Sequence, residues 1–113
     1  MSQQVRCFHI LQKHTGSRNP NDSYRKKPIT RSLDEARQNI QNFKDQIKSM
    51  EDFTRIAGEF SECGSAANGG DLGHFGPGQM QKPFEEAAFS LQVGGMAVGV
   101  ETDSGVHIIL RVE

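Results

Sequence analysis

Apolar residues recur along the chain at two spacings, which predict strands and helices in one domain. Residues 5–11 alternate between two sets of side chains, as in a strand, and His9 falls on an otherwise apolar face. Apolar residues then fall three or four positions apart from Leu33 onwards, which predicts a helix. Ser32 followed by Glu35 three residues later is the sequence signature of a capping box. A helix is therefore expected to begin directly after Ser32.

The rest of the chain contains similar signals. Ser49 precedes a second stripe of apolar residues at helical spacing, and Pro83 precedes a third at a position where a helix tolerates proline. Further strands are predicted over residues 71–75, 96–101 and 105–112, with a hairpin turn at 102–105. The order β-α-α-β-α-β-β predicts the α+β class with a largely antiparallel sheet.

Composition narrows the class of protein. The 113 residues suit one domain, and no apolar run approaches the ~20 residues that span a bilayer. The two cysteines, Cys7 and Cys63, are 56 positions apart and exclude a disulfide framework. Neither these cysteines nor the four histidines have metal-ligand spacing, so no metal or cofactor is expected. With no recognisable signal peptide, we expect a cytoplasmic or nuclear protein with no membrane contact.

Positive charge is concentrated near the start of the chain. Residues 1–31 contain seven of the thirteen basic residues and one of the fourteen acidic residues, for a formal charge of +6. Residues 14–31 show no apolar periodicity, and so long a loop in a small domain is usually functional or disordered. This basic segment suggests an anionic partner, although a merely solvated loop has the same composition. Nucleic acid is disfavoured, because only Tyr24 in this segment could stack on a base.

Four side chains could carry chemistry. His9 and His107 fall on predicted strands, Cys63 follows a helix, and Ser104 lies in the hairpin turn. A thiol and an imidazole can form a nucleophilic pair, but a lone histidine or cysteine on an apolar face is more often part of the core. A glycine-rich stretch over residues 69–78 suggests a sharp turn beside a cleft.

Five motifs in order resemble the parvulin family of peptidyl-prolyl cis–trans isomerases, and specifically its single-domain members that act on phospho-Ser/Thr-Pro bonds. They are residues 6–14 (RCFHILQKH), 60–66 (FSECGSA), 69–75 (GGDLGHF), 78–84 (GQMQKPF) and 102–111 (TDSGVHIILR). The resemblance implies a parvulin fold of the FKBP-like superfold, in which about four helices surround a four-stranded antiparallel sheet. It also implies an isomerase domain over residues 5–113, which leaves residues 1–4 as a flexible tail and no WW domain.

The resemblance assigns roles to individual positions. It implies a pair of active-site histidines, an active-site cysteine and two hydroxyl groups, at His9, His107, Cys63, Thr102 and Ser104. It implies a proline-ring pocket formed by Leu72, Met80 and Phe84, with Gln81 beside it. It implies phosphate binding by Lys13 and Arg18, with Arg25 as a further candidate. The chain departs from the pattern at Asn19, where the family branch usually has a second arginine.

The expected activity is isomerisation of pSer-Pro and pThr-Pro bonds in phosphoproteins by a monomer. Because this rotation breaks no covalent bond, we expect Cys63 to act electrostatically and the histidines to orient each other and the cysteine. The sequence leaves two alternatives open. One is a phosphopeptide-binding or chaperone-like module without catalysis, and the other is a parvulin without a strict phosphate preference.

Overall fold

The computed structural model describes residues 4–113, so the predicted tail over residues 1–4 lies, apart from Gln4, outside the described residues. The described part of the chain contains three α-helices, a short 3-10 helix and four strands. The helices are α1 (Leu33–Gln46), α2 (Met50–Phe60), the 3-10 helix (Gly64–Asn68) and α3 (Lys82–Ser90). The strands are β1 (Val5–Gln12), β2 (Asp71–Phe75), β3 (Met96–Thr102) and β4 (Gly105–Arg111).

The four strands form one antiparallel sheet in the order β2-β1-β4-β3. The first and last strands in sequence are therefore the two central strands, and each is shielded on both sides. In their register His9 lies opposite Ile109, and His107 lies opposite Leu11. The pairing brings the two histidines, 98 positions apart in sequence, into adjacent strands. The α+β class and the antiparallel sheet are confirmed, with the 3-10 helix as the fourth helical element.

Helices cover both faces of the sheet and give it two separate cores. Helices α1 and α2 pack on one face, where Ile10 and Ile108 join their apolar stripes. Helix α3 packs on the other face, where Phe84 and Ala88 meet Ile109. Because side chains alternate along a strand, His9 and His107 point to the same face as α3. No helix in residues 4–113 is both long enough and apolar enough to cross a membrane.

The predicted capping box begins α1. The Ser32 hydroxyl accepts a hydrogen bond from the Glu35 N–H at 3.1 Å, and a Glu35 carboxylate oxygen accepts one from the Ser32 N–H at 2.9 Å. We expect Ser32→Ala to lower the free energy of unfolding by about 1 kcal/mol, because it leaves a helix N–H without its acceptor. Urea denaturation followed by circular dichroism measures this change. Gln38→Ala, on the exposed face of the same helix, is the matched control and should change stability by less than about 0.5 kcal/mol.

The long basic loop between β1 and α1 follows a fixed course across the body of the protein. Its backbone N–H groups at Arg18 and Ser23 donate to the carbonyls of Asp103 (2.7 Å) and Glu62 (3.1 Å). Near its start, the Thr15 N–H donates to the Arg31 carbonyl at 3.0 Å. The loop is therefore irregular, as predicted, but it is held at both ends and in the middle.

Candidate active site

Two buried histidines form the floor of the site. The Nδ1 atoms of His9 and His107 lie 3.0 Å apart, and the two rings are stacked with 23° between their planes. A hydrogen bond between two imidazole nitrogens requires one to carry a proton and the other to lack it. The pair therefore shares a single proton between its facing nitrogens.

The outer ring nitrogens bind hydroxyl groups. His9 Nε2 lies 3.1 Å from Ser65 Oγ, and His107 Nε2 lies 2.8 Å from Thr102 Oγ1. Thr102 Oγ1 also accepts a hydrogen bond from the Ser104 N–H at 3.1 Å. Since a hydroxyl can donate or accept, both rings are fully hydrogen-bonded in their neutral form.

Burial keeps the histidine pair uncharged. Loss of solvation lowers the pKa of His9 to about 4. It also places the pKa of His107 well below its usual value, and the nearby His9 lowers it further. At neutral pH both imidazoles are therefore neutral, so the pair acts as a rigid hydrogen-bonded floor.

The histidines form no hydrogen bond with Cys63, and their orientation of the cysteine stays a prediction. All four ring nitrogens are taken by each other, Ser65 and Thr102. Cys63 is half-buried at the start of the 3-10 helix, where its carbonyl accepts from the Ala66 N–H at 3.0 Å. This arrangement holds its backbone without pairing its thiol with an imidazole, so it gives no support to a cysteine–histidine nucleophile.

The backbone around His9 admits only glycine at one neighbouring position. The His9 N–H donates to the Gly70 carbonyl at 2.9 Å, and Gly70 has a φ of +92°. A Cβ atom at Gly70 would lie 2.5 Å from the His9 carbonyl oxygen. The second glycine of the GGDLG motif therefore allows the chain after the 3-10 helix to pack directly against the histidine strand.

An apolar pocket of about 290 Å³ opens above the histidines. It is called here the proline pocket, after the ring that the sequence resemblance predicts for it. Phe84 is 4% exposed and meets both rings edge-on, with centroid distances of 5.5 Å to His9 and 5.2 Å to His107. The three residues predicted to form the ring pocket line this one cavity, together with the predicted cysteine and hydroxyl groups. Its lining comprises His9, Cys63, Leu72, Gln79, Met80, Gln81, Phe84, Thr102, Ser104 and His107.

A smaller cavity of about 180 Å³, called here the cation cavity, adjoins the proline pocket. Its lining comprises Leu11, Lys13, Arg18, Asn19, Ser23, Cys63 and Ser104. The last two residues of this set also line the proline pocket, so the two cavities share a wall. The predicted apolar and cationic sites therefore lie side by side.

The two cations of the cation cavity are placed differently. Lys13 is 5% exposed, and its Nζ donates to the Asn21 carbonyl (2.6 Å) and Ser23 Oγ (3.0 Å). Arg18 is exposed at the rim. Within residues 4–113 neither forms an ion pair with a carboxylate, so no acidic side chain there neutralises either charge.

Arg25 does not belong to the cation cavity, so the prediction that it is a further phosphate ligand is wrong. Its guanidinium donates to the Asp22 carboxylate (3.1 Å) and to the carbonyls of Ser61 (2.9 Å) and Gly58 (2.8 Å). Burial acts to raise the pKa of Asp22, but hydrogen bonds from two backbone N–H groups and from Arg25 outweigh it and lower that pKa. Arg25 thus neutralises a buried acid that shapes the loop.

Sequence reasoning missed two residues that support the site. Ser65 binds His9 from the 3-10 helix, and its only signal in the sequence was its position two residues after Cys63. Glu62 is buried and accepts hydrogen bonds from the Lys13 N–H (2.8 Å) and the Arg31 guanidinium (2.5 Å). Glu62, which directly precedes Cys63, therefore connects this segment to Lys13, the residue that follows β1.

These features limit what the site can do. Among residues 4–113 no three His, Cys, Asp or Glu side chains converge as metal ligands. The site offers an apolar cavity, a neutral histidine floor and a thiol unpaired with imidazole. Together with the fold, these features suit an isomerase, which needs to rotate a bond and not to break one.

Comparisons with known proteins agree with this class. The model of the rotamase family, described as the PPIC-type PPIase domain, matches residues 9–113, and the chain belongs to this family of peptidyl-prolyl cis–trans isomerases. The chain is similar to the peptidyl-prolyl cis-trans isomerase pin1 of Rhizopus delemar, with 51% identity over 96% of this chain and 73% of that protein. It is also similar to Pin1 of Arabidopsis thaliana, with 46% identity over 96% and 94% of the two chains.

A solved structure supports the same conclusion. The peptidyl-prolyl isomerase ESS1 from Candida albicans superposes with a TM-score of 0.90 at 45% identity. The match covers 97% of this chain and 63% of that one. The predicted family, fold and isomerase activity are confirmed.

Proposed function

We propose that the protein isomerises pSer-Pro and pThr-Pro bonds in phosphoproteins. In this proposal the proline ring enters the proline pocket, and the phosphate of the preceding residue binds Lys13 and Arg18. One observation carries the proposal, namely that the two cavities share Cys63 and Ser104. A phosphorylated residue and the proline after it are adjacent in a peptide, so their two binding sites have to be adjacent as well.

Catalysis in this proposal comes from binding a twisted amide better than a planar one. Rotation about the bond costs about 18–20 kcal/mol because it disrupts amide resonance, and the uncatalysed exchange takes roughly tens to hundreds of seconds. Fixing the ring at Phe84 and the phosphate at the cations holds both sides of the rotating bond. The apolar lining at Leu72 and Met80 favours the less polar twisted amide over the hydrated planar form.

The polar groups around the proline pocket complete the mechanism without acid–base chemistry. His9 and His107 are neutral, and their ring nitrogens are fully hydrogen-bonded. We therefore propose that they hold the floor of the pocket rigid and orient Thr102. Ser104 Oγ accepts a hydrogen bond from Gln81 Nε2 at 2.7 Å, which leaves its own hydroxyl hydrogen for the substrate. We propose that Cys63 acts as a weak polar neighbour of the carbonyl and not as a nucleophile.

A second candidate is an isomerase with little phosphate preference, and Asn19 favours it. This neutral side chain lines the cation cavity beside Arg18, so residues 4–113 supply two cations to the cavity. A smaller positive charge holds a phosphate dianion less tightly. The two candidates differ in the selectivity for phosphate and share the same proline pocket.

Peptides that differ only before proline decide between them. We expect kcat/KM to decrease in the order pSer-Pro, Glu-Pro, Ser-Pro, with the first exceeding the last on the order of 100-fold, because two charge-assisted contacts are involved. NMR exchange spectroscopy measures the isomerisation rates. Added salt should reduce the pSer-Pro advantage, because Arg18 is exposed. Equal kcat/KM for all three peptides would favour the second candidate, and peptide binding without rate enhancement would contradict both.

A further inference from the structure

The tip of the β3–β4 hairpin is hydrogen-bonded on both sides by its backbone. The Asp103 N–H donates to Gln81 Oε1 at 3.1 Å, and the Asp103 carbonyl accepts from the Arg18 N–H at 2.7 Å. Gln81 forms a second bond to the same hairpin, from its Nε2 to Ser104 Oγ at 2.7 Å. The backbone of a single residue, Asp103, is therefore bonded to a side chain of the proline pocket through its N–H and to the backbone of the basic loop through its carbonyl.

Gln81 is the N-cap residue of α3, but its side chain binds the β3–β4 hairpin and does not cap the helix. It precedes α3 and its side chain forms no hydrogen bond to the first turn of that helix. Both polar atoms of its amide are instead directed at residues of the hairpin. The pair of bonds joins the start of α3, which carries Phe84, to the hairpin that holds the Arg18 backbone.

We propose that Gln81 is a positioning residue that sets the spacing between the proline pocket and the cation cavity. This inference rests on the proposed function, because that spacing matters only for a substrate held at both sites. The link runs from Gln81 through the Asp103 backbone to Arg18. It fixes the distance between the site that holds the phosphate and the site that holds the proline ring.

The link predicts a change in selectivity and not only in rate. A residue that merely lines the proline pocket contacts the ring of any substrate, so its loss lowers kcat/KM for phosphorylated and plain peptides alike. Loss of the link lets the hairpin and the basic loop move relative to α3. Only the phosphorylated peptide uses both sites, so only its kcat/KM carries the additional loss.

Gln81→Met is the test, because methionine has a similar shape and can form neither hydrogen bond. We expect the ratio of kcat/KM for pSer-Pro to that for Ser-Pro to fall about five- to tenfold, as expected for two lost hydrogen bonds. Met80→Ala is the matched control, since Met80 lines the proline pocket and belongs to neither bond of the link. It should lower both rates and leave their ratio unchanged.

Amide hydrogen exchange at Arg18 tests the link without any substrate. We expect the Arg18 N–H to exchange several-fold faster in Gln81→Met than in the wild type, and at the wild-type rate in Met80→Ala. An unchanged exchange rate in Gln81→Met, or an unchanged ratio in an enzyme that prefers pSer-Pro, would overturn the inference. If the wild type shows no preference for phosphate, the proposed function fails, and the Arg18 exchange rate still decides whether the link exists.

Discussion

Arg18→Ala should lower kcat/KM for a pSer-Pro peptide by about 10- to 30-fold and leave the value for a Ser-Pro peptide unchanged. A loss of this size corresponds to one hydrogen bond to a charged group. It lies near the lower end of the usual energy range for such bonds, because Arg18 is exposed to solvent. Arg18 lines the cation cavity but not the proline pocket, so under the proposed function its guanidinium contacts the phosphate and not the proline ring. Isomerisation rates of the two peptides, measured by NMR exchange, provide the test.

A control separates this local contact from the general charge of the basic loop. Lys27 is exposed in the same loop and lines neither cavity. Lys27→Ala removes the same formal charge and should change either rate by less than about twofold, because an exposed charge outside both cavities is largely screened. Equal losses in Lys27→Ala and Arg18→Ala would show that the loop acts only through its overall field. An equal loss for both peptides in Arg18→Ala would remove Arg18 from the phosphate site.

Local sequence signals predicted the framework well. The capping box at Ser32 fixed the start of α1, and the turn at 102–105 joins β3 and β4 as expected. These elements depend on neighbouring residues, so their signals are present in short segments of sequence. The strand that carries His9 extends one residue further than predicted, to Gln12, because pairing with Val106 continues the ladder.

The positions of the charged side chains in the site could not be predicted in the same way. Lys13 and Arg25 are both basic residues of one segment, and the one acid of that segment, Asp22, does not by itself mark Arg25 as a structural cation. The distinction arises from contacts with Gly58 and Ser61, more than thirty positions from Arg25. Ser65 was missed for the same reason, because it meets His9 across 56 positions. Such long-range contacts follow from the assembled fold and not from local spacing.

Stability should fall steeply below neutral pH, because folding keeps two histidines uncharged. A histidine in the unfolded chain has a pKa of about 6.5, whereas burial lowers the pKa of His9 to about 4 and depresses that of His107 as well. Below pH 6.5 the unfolded state therefore binds more protons than the folded state, and its free energy falls relative to the native state. The stabilisation is complete above pH 6.5 and is lost as the pH decreases towards 4. Two protons taken up on unfolding give a slope of about 2 kcal/mol per pH unit between pH 6 and 5.

Urea denaturation at a series of pH values measures this slope, and two variants assign it. His9→Asn removes one of the two protons and should reduce the slope between pH 6 and 5 by about half, whatever it does to stability at pH 7. His74→Gln replaces an exposed histidine on β2 and should change the slope far less than His9→Asn, because the contact of His74 Nε2 with the Glu113 carboxylate (3.0 Å) is exposed to solvent. Carboxylates with lowered pKa values, such as Asp22 and Asp71, lose their stabilising contacts only at lower pH, so this window belongs to the histidines. A flat pH profile between 6.5 and 5 would mean that the pair accepts a proton in the folded state, and the site would then contain an imidazolium at mildly acidic pH.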